Sequence, residues 1–157
     1  MELKFKVSGR IARPVEDVYE AVVNPAELSR YFTTGGAKGR LETGATVYWD
    51  FHDFPGAFPV EVVSVEKNRK IVLRWDAGDA DPAVPEATEA SYRTTVTMTF
   101  EPLDDGRTLV TIAEEGWQET PNGLSASYGN CHGWTQMLCA LKAYREYGIN
   151  LREGMYK

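Results

Sequence analysis

The stretch from Thr120 to Gly148 constrains the chain more than any other. Thr120-Pro121 supplies a cap and a first-turn proline, and Leu124, Tyr128, Cys131, Trp134 or Thr135, Leu138 and Leu141 then recur at steps of three and four. Gly148 is placed to stop the run. The pattern predicts one long helix with an apolar stripe. Such a stripe has to be laid against another layer, and no second long helix is written anywhere upstream.

What precedes it is mostly extended. Leu3, Phe5, Val7 and Ile11 alternate with Lys4, Lys6, Ser8 and Arg10, the period of a strand with one buried face. Two short helices follow. Pro14 stands at a helix start, with Val15, Val18, Tyr19 and Val22 at helical spacing behind it. Asn24-Pro25-Ala26-Glu27 then reads as a cap, a first-turn proline and a glutamate able to close a capping box. From Thr33 onward glycines punctuate extended pieces. Val47, Trp49 and Phe51 share one face of a strand that also carries Tyr48, Asp50 and His52. Phe58 to Val65 and Lys70 to Trp75 predict a hairpin through Lys67-Asn68-Arg69, and Val96, Met98 and Phe100 continue the alternation. A turn at Asp104-Asp105-Gly106 leads into a last strand ending near Glu115. Residues 76–90 are acidic and rich in Ala and Pro, without a period, and are expected to form a long loop.

The expected fold class is α+β. Six to seven antiparallel strands form a sheet that twist curls, and the single long helix covers its concave face. At 157 residues this is one domain, 1–157. A net charge of −6 argues against nucleic acid or an anionic membrane surface as partner. Residues 1–4 alternate at once rather than forming a leader, and no run of about 20 apolar residues is present to span a bilayer. Cys131 and Cys139 lie about 12 Å apart along one helix, too far for a disulfide. Reduced thiols point to the cytoplasm.

The order of elements and four segments together resemble the superfamily of START lipid-transfer domains, polyketide cyclases and birch-pollen-allergen-like proteins. The segments are Ile11-Ala12-Arg13-Pro14-Val15-Glu16-Asp17-Val18-Tyr19, Asn24-Pro25-Ala26-Glu27-Leu28, Thr111-Ile112-Ala113-Glu114-Glu115-Gly116-Trp117, and the run from Gly133-Trp134 to Ala143-Tyr144. Within that group the chain is most similar to bacterial homologues of the activator of the ninety-kilodalton heat-shock protein ATPase. The resemblance implies a helix-grip fold with a ligand cavity between sheet and helix, and no shared catalytic residues.

On that reading Trp49, Phe51, Trp75 and Trp134 are the expected cavity walls, with Phe32, Met98, Tyr128 and Leu138 beside them and a hydroxyl available on Tyr128. Ordinary core packing would account for any one of these aromatics. Glu114 and Glu115 end the last strand, and alternation sends one of them inward. Glu115 is taken as the candidate, an inward carboxylate being able to serve as acid, base or anchor. His52 is placed at the pocket rim. Neither His52 nor His132 belongs to a set of ligands spaced for a metal, and no nucleophile accompanies His52, so no metal, cofactor or catalytic residue is assigned. Gly35-Gly36-Ala37-Lys38-Gly39 lacks the strand–helix context of a phosphate loop.

The first expectation is therefore binding of a small apolar or amphipathic molecule, as a carrier or sensor. The alternatives are a cyclase- or hydrolase-type enzyme using the same cavity, and a co-chaperone-like interaction module using a sheet edge or the acidic loop. A homodimer is compatible with either.

Overall fold

The computed structural model describes residues 1–80 and 92–156. Seven strands form one antiparallel curved sheet: β1 (Leu3–Ile11), β2 (Gly36–Lys38), β3 (Thr46–Phe51), β4 (Phe54–Glu66), β5 (Lys70–Asp76), β6 (Arg93–Pro102) and β7 (Thr108–Trp117). Their order across the sheet is β1-β7-β6-β5-β4-β3-β2. Strands β2 to β7 thus form an uninterrupted meander. Only β1 is displaced, crossing from the start of the chain to pair with β7 at the far edge. Two short helices, α1 (Val15–Val23) and α2 (Pro25–Leu28), fill that crossing, and α3 (Pro121–Tyr147) closes the chain. The sheet, its single long covering helix and the two short helices after the first strand make the α+β helix-grip architecture expected from the sequence.

Local chemistry explains most boundaries. Asn24 Oδ1 accepts from the Ala26 amide at 3.0 Å and starts α2. Thr120 Oγ1 accepts from the Gly123 amide at 3.0 Å and starts α3, while Gly148 ends it in the left-handed conformation at φ 69°. Asn68 takes φ 59° in the turn between β4 and β5. The capping-box role expected of Glu27 is not realised. Its carboxylate instead accepts from the Tyr144 hydroxyl and lies 3.5 Å from Arg145 of α3. Tyr144 also stacks on Tyr31 at 5.0 Å, and Arg145 Nε donates to the Asp17 carbonyl at 2.9 Å. These contacts fasten the last turns of α3 to the two short helices.

The core lies between the concave sheet face and α3. Val60, Val62, Ile71, Leu73, Val96, Met98, Val110 and Ile112 line the sheet side, all at most 1% exposed. The helix answers with Trp134, Leu138 and Leu141 of the expected stripe, and with Met137 beside them. Its first two turns do not follow that stripe. Leu124 and Tyr128 are 39% and 69% exposed, and Gly123 and Ser127 face inward instead. The helix entry is tight at this point, where a Cβ on Gly123 would lie 2.1 Å from the Gln118 carbonyl. The expected loop over 76–90 is described only to residue 80, and its remainder lies outside the described residues. Its near end is pinned, since the Trp117 indole donates to the Ala77 carbonyl at 2.9 Å and Ala77 donates to the Tyr92 carbonyl at 3.2 Å.

On α3 a Cβ at Gly129 or Gly133, one turn apart, would meet nothing within 4 Å. Gly129→Ala should therefore stabilise the protein by about 0.5–1 kcal/mol through helix propensity alone. Gly123→Ala should destabilise it, because backbone has to move. Urea unfolding of both variants beside the parent measures the contrast.

Candidate functional site

The sheet register assembles adjacent rows of side chains on the concave face. Trp49 of β3 is paired with Phe58 of β4, Trp75 of β5 with Thr94 of β6, and Val96 of β6 with Glu114 of β7. Partners directly opposite in an antiparallel pair share a face. Above these rows, α3 presents Asn130 and Trp134, one helical turn apart. Trp134 lies 5.4 Å from Trp75, 6.4 Å from Trp49 and 5.6 Å from Phe32, with Phe51 5.0 Å from Phe32 and 5.9 Å from Phe58. Six aromatic rings are thus in mutual contact. Trp49, Trp134 and Phe32 are buried, while Phe51, Phe58 and Trp75 are partly open to solvent.

At the end of this cluster sits the carboxylate of Glu114, 1% exposed. Oε1 accepts from Trp134 Nε1 at 2.8 Å and from Asn130 Nδ2 at 3.2 Å. Oε2 accepts from Thr94 Oγ1 at 2.7 Å, Trp75 Nε1 at 2.9 Å and Asn130 Nδ2 at 3.0 Å. Every donor is a neutral group, and among the described residues no cation forms an ion pair with it. Burial therefore raises the Glu114 pKa above the ordinary glutamate value, with the hydrogen bonds from Trp75, Thr94, Trp134 and Asn130 pulling the other way. An indole N–H can only donate, so the two tryptophans are committed to an acceptor at this point. The arrangement can hold a proton above the ordinary glutamate range or accept a hydrogen bond from a bound molecule.

The structure packs Phe32, Trp49, Phe51, Trp75 and Trp134 into one cluster. Leu138, 8% exposed, and Met98, 1% exposed and registered between Ile71 and Ile112, belong to the core. Three expected positions stand apart. Glu115 is exposed, because alternation along Val110, Ile112 and Glu114 sends Glu114 inward and Glu115 outward. A bulge at Gly116, φ 109°, then restores Trp117 to the interior. Tyr128 points to solvent on the shoulder of α3. His52 is not in a strand: it forms the exposed β3–β4 turn with Asp53, its amide donating to Thr34 Oγ1 at 2.8 Å. His132 is exposed and pairs with Gln136.

Sequence reasoning missed Thr94, Asn130 and Phe58. Asn130 was accessible as the position one turn before Trp134, and Phe58 as the cross-strand partner of Trp49. Thr94 carried no signal of its own. Also missed was Arg152, on the segment after α3. Its side chain is 7% exposed, and its guanidinium stands 5.6 Å from the Phe32 ring, 5.4 Å from Phe51 and 5.4 Å from Tyr156. A cleft of about 280 Å³ adjoins it, bordered by Ser29, Thr34, His52, Asp53 and Asn150. A second, wider cleft of about 690 Å³ lies beside α1, between Glu20, Arg40, Val65 and Asn68.

Because the folded state holds the Glu114 proton more tightly than the unfolded chain, its contribution to stability is greatest below the ordinary value of 4.5 and is lost as pH rises through the raised folded pKa. Glu114→Gln should remove this slope. At pH 8 it should also cost about 1–3 kcal/mol, since a carboxamide N–H₂ would meet an indole donor and leave it unsatisfied. Denaturant unfolding of parent and variant between pH 4.5 and 8 measures both effects. An unchanged slope would show that Glu114 is not the group responsible.

Comparison with known proteins agrees with this architecture. The protein SSP2350 from Staphylococcus saprophyticus is 24% identical, with 95% of this chain and 96% of that one aligned at a TM-score of 0.74. The Aha1 dimer from Colwellia psychrerythraea is 18% identical over 92% and 97%, at 0.69. DynU16, from the dynemicin biosynthetic locus, is 23% identical at 0.75; 94% of this chain aligns with 49% of that protein. At these identities the likeness is one of fold. No curated protein matches the sequence. The family model described as activator of Hsp90 ATPase homolog 1-like protein matches residues 12–146, and the chain belongs to that family.

Proposed function

We propose that this chain binds a small hydrophobic or amphipathic molecule between the sheet and α3, with Glu114 as its polar anchor. The observation that carries the reading is a buried carboxylate set at the end of an aromatic cluster whose outer rings, Phe51, Phe58 and Trp75, are partly open. A core of this size does not require a charge. Burying a carboxylate without a counter-ion is unfavourable, and apolar groups of the same shape are often at least as stable. Asn130 is the partner most readily exchanged, being partly buried and shared between the two oxygens at 3.0 and 3.2 Å. A ligand hydroxyl or N–H in its place would keep the carboxylate satisfied, while the outer rings shift to cover the apolar body.

A second reading has one observation in its favour. The raised pKa of Glu114 suits a general acid or base, so a cyclase- or hydrolase-type reaction is the alternative use of the same site. The origin of DynU16 in a biosynthetic locus is compatible with that use. Self-association is a proposal on the same footing. The Colwellia relative is a dimer, and Tyr147 at the end of α3 and Ile149, Leu151 and Met155 beyond it expose apolar surface. No helix of the described residues is long and apolar enough to cross a membrane. Cys131 and Cys139 are both unpaired, which fits a place in the cytoplasm.

N-phenyl-1-naphthylamine, a neutral apolar amine whose fluorescence rises out of water, is a suitable probe. It should bind saturably and raise Tm with concentration, and Phe58→Ala should weaken it about tenfold, the loss of one ring contact of about 1–1.5 kcal/mol. Native mass spectrometry of the purified protein should also reveal a co-purified small molecule. A flat titration together with no bound mass would remove the binding proposal.

A further inference from the structure

We propose that the cleft beside Arg152 is a second binding site, one that takes a small aromatic carboxylate. After Gly148 the chain turns back and lays Arg152 among Phe32, Phe51 and Tyr156. Ring faces attract a cation, but they offer nothing to the five N–H donors that lie in the guanidinium plane. Among the described residues the acceptor in reach of the guanidinium is Asp53 Oδ1, 3.5 Å from Nη2. That is well beyond the 2.7–2.9 Å typical of a charge-assisted bond. Nε is buried and has no hydrogen-bond partner among the described residues. With its side chain only 7% exposed, Arg152 has given up most of its water, and among the described residues it receives one long acceptor bond in return.

The cleft supplies the missing space. At about 280 Å³ it falls at the small end of ligand pockets, enough for a compact molecule. A planar carboxylate matches the guanidinium fork with two parallel bonds, and Tyr156 on the cleft wall offers a ring for an aromatic body. Asp53 and Glu153 also border the cleft and work against an anion. That opposition selects a singly charged carboxylate over a phosphate of nearly double charge, and it makes Asp53 the group the ligand displaces. The lining of the cleft shares no residue with the donors of Glu114, although the Phe32 and Phe51 rings behind Arg152 also belong to the aromatic cluster.

Isothermal titration of the full chain with 2-naphthoate, its neutral analogue 2-naphthalenemethanol and inorganic phosphate tests the proposal. Naphthoate should bind one to one, at least tenfold tighter than the alcohol and tighter than phosphate. Arg152→Gln should weaken it at least tenfold. Since that variant loses a buried group and is open to misfolding, Asp53→Asn provides the independent arm. Removing the competing carboxylate should tighten naphthoate severalfold. Naphthoate that binds no better than the alcohol or phosphate, or no better to Asp53→Asn than to the parent, overturns the assignment. N-phenyl-1-naphthylamine carries no acid, so its titration reports the interior site and either site can fail alone.

Discussion

A buried carboxylate without a counter-ion sets the terms for the rest of this structure. Glu114 projects from β7, and its donors come from β5, β6 and two successive turns of α3. Sheet and helix are therefore joined at this point by directional bonds as well as by apolar contact. The bonds also orient the cluster. Trp75 and Trp134 must each bring Nε1 to the carboxylate, which fixes the edge of each indole and hence the ring faces left for Phe32, Phe58 and Trp49. The aromatic geometry follows from the polar one.

The architecture was legible because it rests on periodicities that survive without tertiary information. The strands from Leu3, Val47 and Val96, and the helix ended by Gly148, were each written in spacing and punctuation. The aromatic wall was legible for the same reason, since Trp49, Phe51, Trp75 and Trp134 fall on inward positions of predicted elements. What spacing could not supply was the phase of α3 in its first two turns. Leu124 and Tyr128 look like stripe residues, but the face turned inward there is the small and polar one that carries Gly123 and Ser127. Asn130 and Ser127 are consequently inside, against their hydropathy. The same limit applied at the end of β7. The parity of Val110 and Ile112 favoured Glu114, whereas Gly116 obscured where the alternation stops. His52 was lost to a turn of two residues that resembles continued alternation.

Arg152 shows a second way of keeping a charge out of water. Glu114 is surrounded by hydrogen-bond donors and little else, and Arg152 by ring faces with few acceptors. Phe32 belongs to both settings, 5.6 Å from Trp134 and 5.6 Å from the guanidinium. A ring shared in this way couples the two places mechanically, because it cannot tilt toward one without changing its contact with the other.

The pinning of Ala77 by Trp117 and Tyr92 bears on how such a chain can diverge. Between those anchors, residues can be inserted or deleted with little effect on the separation of the flanking strands, and closure entropy changes only slowly with added length. In β7 the opposite holds. Removing one residue between Val110 and Glu114 would exchange the two glutamates across the sheet, exposing the first and burying the second. Relatives of this protein can therefore differ in length after β5, whereas their last strand has to change by substitution.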